Sequence, residues 1–359
     1  MAGNASLIAA KKAKQDEFYT RREDIEAELQ HYKKFFEGKT VYCNCDDPEA
    51  SEFWRFFVRV FRDWHLKKLV ATHYDPNEKN YSYKLELAGD GKNKPTITQL
   101  PCNGDFRSAA CIELLKEADI VCTNPPFSLI REYIAQLVTY RKNFVVMAPL
   151  NAVNYKEIFP LIKSGYIALG YKPIGQDTLF HVPAEYADYL VHHKRQGSGY
   201  KIVNGEVMGR ANVIWLTDLD IKKRHISLDL RGTYYREKDY PHYYNYNAID
   251  VSKVSDIPCD YYGEMGVPIS FLASFNPEQF AIVDRGNDVP KTYTHESING
   301  EWIVYRDKND NVVWKTPYSV HERKAGNSLR LDDNGTPGKL PYDRIIVKLK
   351  HPEPRRYPG

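Results

Sequence analysis

Short apolar runs alternate, along the first half of the chain, with longer stretches whose apolar positions fall three or four apart, and this predicts strands and helices in turn. Ile25, Leu29, Tyr32 and Phe36 share one helical face over residues 22–36, with Thr20 placed as the N-cap. Residues 39–45 read as a strand that leaves through Asp46-Asp47-Pro48. Residues 51–64 read as an amphipathic helix burying Phe53, Phe56, Phe57, Val60 and Phe61, and residues 68–72 as a second strand. A polar hairpin or surface loop over 77–100 is followed by a helix over 108–117, an apolar strand ending at Asn124, and a helix over 128–140. Residues 144–148, 155–164 and 166–170 continue as strand, helix and strand. The repetition predicts an α/β fold with a Rossmann-like, doubly wound, largely parallel sheet. Residues 203–207 and 212–217 predict two more strands, antiparallel at the sheet edge, with 176–201 a loop before them.

From about Leu228 the rhythm changes. Tyrosines crowd residues 234–262, prolines recur, helical spacing fades, and β-runs appear at 301–306, 312–315 and 344–350, which predicts a β-rich second domain. The expected division is 1–228 and 229–359. A chain of 359 residues, 42% hydrophobic and 13% aromatic, has the material for two packed cores. No apolar run approaches the roughly 18 residues of a membrane span, and residues 1–14 lack a secretory signal, so a cytoplasmic protein with no membrane partner is expected. The net charge of +3 names no partner, and the basic clusters at 192–195 and 222–224 fit a solvated face as well as a phosphate site. Six cysteines without a C-x-x-C pair read as reduced, mostly buried thiols. Cys43-x-Cys45 has no His-rich partner segment, so no metal is expected.

The candidate chemistry lies in Asn124-Pro125-Pro126-Phe127, where two prolines stop a strand and hold one turn shape before a helix. Open α/β sheets bind ligands beyond the carboxyl ends of their strands, where this turn falls. The Asn124 side-chain oxygen and the Pro125 carbonyl can each accept a hydrogen from an aromatic amine such as that of adenine, drawing the nitrogen towards tetrahedral geometry. Phe127 offers a face for the ring, and stacking of that kind stabilises a base extruded from a duplex by roughly 1–3 kcal/mol. Elsewhere, the helix N-terminus after Thr20 suits a carboxylate. Asp46 or Asp75, at the ends of the first two strands, suits ribose hydroxyls, although each also fits an ordinary turn aspartate. Asp105 and Phe106 suit the amine and face of an adenine.

Those residues belong to longer motifs: Asp16-Glu17-Phe18-Tyr19-Thr20, Val41-Tyr42-Cys43-Asn44-Cys45-Asp46-Asp47-Pro48, Gly104-Asp105-Phe106-Arg107-Ser108, and Asn124-Pro125-Pro126-Phe127-Ser128-Leu129. Tyr155-Lys156-Glu157-Ile158-Phe159, Met265-Gly266-Val267-Pro268-Ile269 and Phe275-Asn276-Pro277-Glu278-Gln279-Phe280 extend the pattern. With them the chain resembles the EcoRI-type adenine-specific DNA methyltransferases. The resemblance implies methyl transfer from S-adenosyl-L-methionine to a flipped adenine in double-stranded DNA, within a restriction-modification or similar system, with a possible cognate restriction endonuclease. It implies a methyltransferase sheet over 1–228 and a C-terminal target-recognition region over 229–359. It assigns Tyr19 and Thr20 to the methionine end of the cofactor, Cys43, Asn44 and Asp46 to the first-strand loop, Asp75 to the ribose, and Asp105 and Phe106 to the cofactor's adenine. Asn124, Pro125, Pro126 and Phe127 match the catalytic turn. The first-strand loop departs from the wider superfamily, which carries glycines where Cys43, Asn44 and Cys45 stand. A second aromatic to sandwich the base is implied, with Phe180 and Trp215 both open. The same turn chemistry would serve an RNA or protein amine methyltransferase, and a regulator that kept the fold without the reaction is the non-enzymatic alternative. Oligomeric state is not legible.

Overall fold

The computed structural model describes residues 19–45, 47–49, 51–75, 82–91, 94–234, 239–243, 246–288, 294–298, 302–306, 309–317, 330–331, 338–339 and 343–354. Contacts divide the chain into two units, one running to Ile162 and again over Tyr166–Ile221, the other Lys163–Gly165 with residues from Lys222 onward.

The first unit is an α/β structure built on a mixed sheet of eight strands. In chain order the strands of this unit are β1 (Tyr19–Thr20), β2 (Thr40–Cys43), β3 (Lys68–Thr72), β4 (Ser82–Ala88), β5 (Thr96–Leu100), β6 (Ile120–Thr123), β7 (Asn143–Pro149), β8 (Ala168–Leu169), β9 (Thr178–His181), β10 (Tyr200–Val203), β11 (Glu206–Ala211) and β12 (Val213–Thr217). The large sheet has the order β5-β4-β3-β2-β6-β7-β12-β8. Its centre, β3-β2-β6-β7, is parallel. The flanking pairs are antiparallel. All four residues of β2 and of β6 are buried, as expected where both faces of a parallel sheet are covered.

One face packs Val41, Cys43, Ile120, Cys122, Val145 and Met147 under the helices α1 (Arg22–Leu29) and α2 (Glu52–Val60). Here Phe36, Phe56, Phe57 and Trp64 form an aromatic cluster, with Phe36 and Phe57 centroids 5.1 Å apart. Ser51 caps α2 by accepting from the Phe53 amide at 3.1 Å. The other face meets α3 (Ala109–Glu117) against β2 and α4 (Ile130–Thr139) against β7. Ser108 caps α3.

Several elements differ from expectation. Thr20 does not cap α1: Arg21 holds that position, and Thr20 lies in β1 with its hydroxyl directed to Met147 Sδ at 3.3 Å. The segment expected as a loop over 176–201 contains β9 and a ten-residue helix, α5 (Ala184–His193), pinned by Tyr186 and Leu190 one turn apart. The strand expected over 203–207 is instead a hairpin corner at Asn204 and Gly205, with φ of 52° and 82°. An Asn-Gly pair with both residues left-handed is the turn that matches strand twist. This hairpin belongs to a separate sheet of order β1-β9-β11-β10. β12 is not at the edge but between β7 and β8, and the hairpin over 82–100 joins the large sheet through β4.

The second unit is β-rich. β13 (Ala248–Asp250), β14 (Glu264–Pro268) and β15 (Phe280–Arg285) are followed by β16 (Thr294–Ile298), β17 (Trp302–Arg306), β18 (Val312–Pro317), β19 (Arg330–Leu331), β20 (Gly338–Lys339) and β21 (Arg344–Leu349). They form sheets β13-β14-β21-β15, β16-β17-β18 and β19-β20. Arg344 and Asp250, both buried, pair at 2.7 Å, and Tyr243 donates to the same carboxylate at 2.5 Å. Gly266 has no side chain because a Cβ there would lie 2.0 Å from the Tyr243 hydroxyl.

Candidate active site

β2 is the first strand of the parallel core. β3, the next parallel strand, pairs on one side of it, and β6 pairs on the other. The direction of winding therefore reverses between β2 and β6, and it is at such reversals, beyond the carboxyl ends of the strands, that open α/β sheets bind their ligands. Asn44 follows β2 and Asn124 follows β6 at this reversal.

The turn after β6 is built as the prolines require. Asn124 is 8% exposed, Pro125 is buried, and Pro126 and Phe127 are half-buried, so the corner is partly open to solvent. Residues 127–129 form a 3-10 turn whose Leu129 amide donates to the Pro126 carbonyl at 2.9 Å, and α4 follows. That bond is accepted one residue beyond Pro125. Phe127 meets Phe180 edge-on, with centroids 6.5 Å apart and planes at 81°. Phe180 sits in β9 opposite Thr20, so the Tyr19–Thr20 strand, Phe180 and the catalytic-turn candidate are neighbours. Trp215 is elsewhere in the core. It pairs with Met147 in β12, and its ring lies 5.9 Å from Phe53. Of the two aromatics left open by the sequence, Phe180 is the one brought to Phe127, and it is fully buried behind it.

The β2 side carries Cys43, buried, and Asn44, 2% exposed. The Asn44 side-chain oxygen accepts from the Tyr133 hydroxyl and from the Cys45 thiol at 3.7 Å. Its amide nitrogen is buried and has no hydrogen-bond partner among the described residues. Asp46 lies outside the described residues. Asp47, next along, accepts from the Glu49 amide and approaches His73 Nδ1 at 3.6 Å.

Beyond β3, the Asp75 amide donates to the Asn103 carbonyl at 3.1 Å, which ties this exit to the loop before α3. Gly104 makes the approach possible: its φ is +80°, and a Cβ would lie 1.8 Å from the His73 carbonyl. The loop brings Asp105 and Phe106 to the same edge. Two guanidinium contacts from Arg107, at 2.6 and 2.9 Å, hold the Asp105 carboxyl below the usual carboxylate range. Phe106 packs edge-on against Tyr133 at 5.1 Å. Beneath the loop, burial pushes the Cys111 thiol up to about 11, and all six cysteines are unbridged.

Cys43, Asn44, Asp75, Asp105, Phe106 and Asn124–Phe127 thus leave neighbouring strands or loops at one edge of the sheet, and Tyr19–Thr20 reach it through β9. Tyr133 is the residue that pattern reading passed over. On the sequence it is one apolar position of α4, and nothing marks its hydroxyl as partner to an amide 89 positions away.

The family model described as adenine-specific methyltransferase EcoRI matches residues 6–350. The chain is 42% identical to the Type II methyltransferase M.EcoRI of Escherichia coli over 319 residues, covering 85% of this chain and 96% of that protein. It is 40% identical to the Type II methyltransferase M.MpnI of Mycoplasma pneumoniae over 282 residues, covering 77% and 84% respectively. M.MgeORF184P of Mycoplasma genitalium is also 40% identical, over 279 residues. No solved structure gives a significant match.

Proposed function

The chain belongs to the family of the adenine-specific methyltransferase EcoRI, and on that premise we propose that the edge holding Asn44 and Asn124 is where it methylates adenine. The protein is an adenine-specific DNA methyltransferase of the Type II kind, and its methyl donor is S-adenosyl-L-methionine. The single observation that carries the site is the placement of Asn124 and Asn44 on either side of the winding reversal, with the Asn124 corner partly open.

The residues fit such a donor. A buried amide nitrogen at Asn44 awaits an acceptor, and Gly104 allows the Asp105–Phe106 loop to close on the β3 exit. Asn44, Asp75, Asp105 and Phe106 would hold the nucleoside part, and Tyr19 and Thr20 the amino-acid part. S-adenosylmethionine supplies a methyl group on a sulfonium, an excellent leaving group. Asn124 and the Pro125 carbonyl each accept one hydrogen of the adenine amine, which localises its lone pair on nitrogen for in-line attack. Phe127 stacks the extruded ring. Most of the rate enhancement then comes from position and hydrogen-bond polarisation.

In this reading the first unit is a Rossmann-like, doubly wound catalytic domain and the β-rich unit reads the target sequence. The tyrosines and buried Asp250–Arg344 pair of that unit support a rigid platform for base contacts. A cognate restriction endonuclease is the partner expected by analogy with the Type II relatives, and the work is expected in the cytoplasm.

The test is Asn124→Ala. The expected result is a fall in kcat of about 10²-fold or more, with duplex and S-adenosylhomocysteine dissociation constants within about twofold of the parent. Unchanged turnover removes Asn124 from the mechanism. Tritiated donor offered duplex DNA, structured RNA and protein together should label DNA.

A further inference from the structure

Tyr133 is wholly buried on α4, six residues past Phe127, and a buried phenol needs a partner for its hydroxyl. That partner is the side-chain oxygen of Asn44, at the exit of β2. The Cys45 thiol approaches the same oxygen from the adjoining residue. Both groups donate to the amide oxygen, so its NH2 group faces the opposite way. That NH2 is buried and has no hydrogen-bond partner among the described residues, one of several side-chain atoms there of which this is true. An unmet buried donor costs about 1–3 kcal/mol, and at the exit of β2 an acceptor on a bound ligand would relieve that cost.

We propose that Tyr133 is a positioning residue for the methyl donor, fixing the Asn44 amide so that its NH2 donates to an acceptor oxygen or ring nitrogen of the bound cofactor. This rests on the assignment of the β2 edge to S-adenosylmethionine. The same tyrosine ring is the surface against which Phe106 packs edge-on, so one side chain sets both the first-strand loop and the loop before α3. Removing the hydroxyl alone frees the amide to turn and leaves the ring packing in place.

The experiment measures S-adenosylhomocysteine binding by calorimetry, together with steady-state kinetics on duplex DNA, for the full-length protein and four variants: Tyr133→Phe, Asn44→Ala, Asn44→Asp and the Tyr133→Phe/Asn44→Ala double variant. Tyr133→Phe is expected to weaken binding, and raise KM for the donor, by about tenfold while kcat stays within about twofold. Asn44→Asp keeps an oxygen for Tyr133 but has no N–H to give, and is expected to bind at least as poorly. In the Asn44→Ala background, Tyr133→Phe should add nothing, which marks coupling rather than two separate effects. A merely structural role would lower the melting temperature of the unliganded protein without splitting KM from kcat.

An unchanged dissociation constant in Tyr133→Phe overturns the proposal, as does full additivity in the double variant. Tighter binding by Asn44→Asp overturns the donor assignment, since a carboxylate would then be meeting hydroxyls. Failure of this inference separates from failure of the functional reading. If the parent binds S-adenosylhomocysteine and methylates DNA, and Asn124→Ala abolishes turnover, an insensitive Tyr133→Phe removes only the positioning role. If the parent binds no S-adenosylhomocysteine, both readings fall.

Discussion

Phe127 and Asn124 occupy one turn and are asked for different things, so their variants should separate. Phe127 is half-buried, with its edge against Phe180, and Phe127→Ala removes both a stacking face and a packing neighbour. The expected loss is about 1–3 kcal/mol in the stability of the extruded base. In a duplex carrying 2-aminopurine at the target position, the fluorescence rise that reports extrusion should fall sharply for Phe127→Ala and persist for Phe127→Trp, which keeps an aromatic face. An undiminished rise in Phe127→Ala would remove Phe127 from base holding. Asn124→Ala should leave that rise nearly intact, because its task begins after the base has arrived. The pair Phe180 and Trp215 illustrates what residue type alone leaves open. Both are aromatic, yet register places Phe180 opposite Thr20 and beside the turn, and Trp215 opposite Met147 in the core.

At the scale of elements, the loop between β5 and α3 works because its backbone comes close to the exit of β3. Gly104 provides this approach, and Ser108 then starts α3 by accepting from the Cys111 amide at 3.3 Å. Gly104→Ala adds a methyl group where the His73 carbonyl stands and asks for a left-handed conformation costing roughly 1–2 kcal/mol. The expected outcome is weaker S-adenosylhomocysteine binding by about tenfold or more, from a displaced Asp105–Phe106 loop, measured by calorimetry. Binding at parental affinity would show the loop to be independent of the cofactor. The central strands were legible because a buried parallel strand is apolar throughout. α5 was not, because short helices draw their stability from tertiary packing rather than from a long sequence pattern. Tyr186 and Leu190, with Tyr189 half-buried beside them, anchor it against Tyr200.

Across the whole molecule, the described residues of the two units form separate apolar clusters, and the second unit contains a buried ion pair. Arg344→Ala strands the Asp250 carboxylate in the interior and is expected to destabilise the β-rich unit by about 3–5 kcal/mol, read by denaturant unfolding of the full chain. Binding of S-adenosylhomocysteine should survive, while sequence-specific duplex binding should fall. Equal loss of both would argue against a division of labour between the units. The division lies between Ile221 and Lys222, with Lys163–Gly165 joining the second unit, whereas composition had placed the change at about Leu228.

The amino-acid order by itself determined the β–α alternation, the rigid Asn-Pro-Pro-Phe corner and the change to a β-rich half. Each is local, since proline restricts its own and the preceding residue's backbone, and apolar spacing records which face is buried. Tertiary structure decided which strand ends share an edge, which aromatic stands behind Phe127, and that the hydroxyl of a tyrosine of α4 donates to the side chain of Asn44. Those depend on strand order and register, which bring residues 89 positions apart into hydrogen-bond contact through pairings that no single segment encodes.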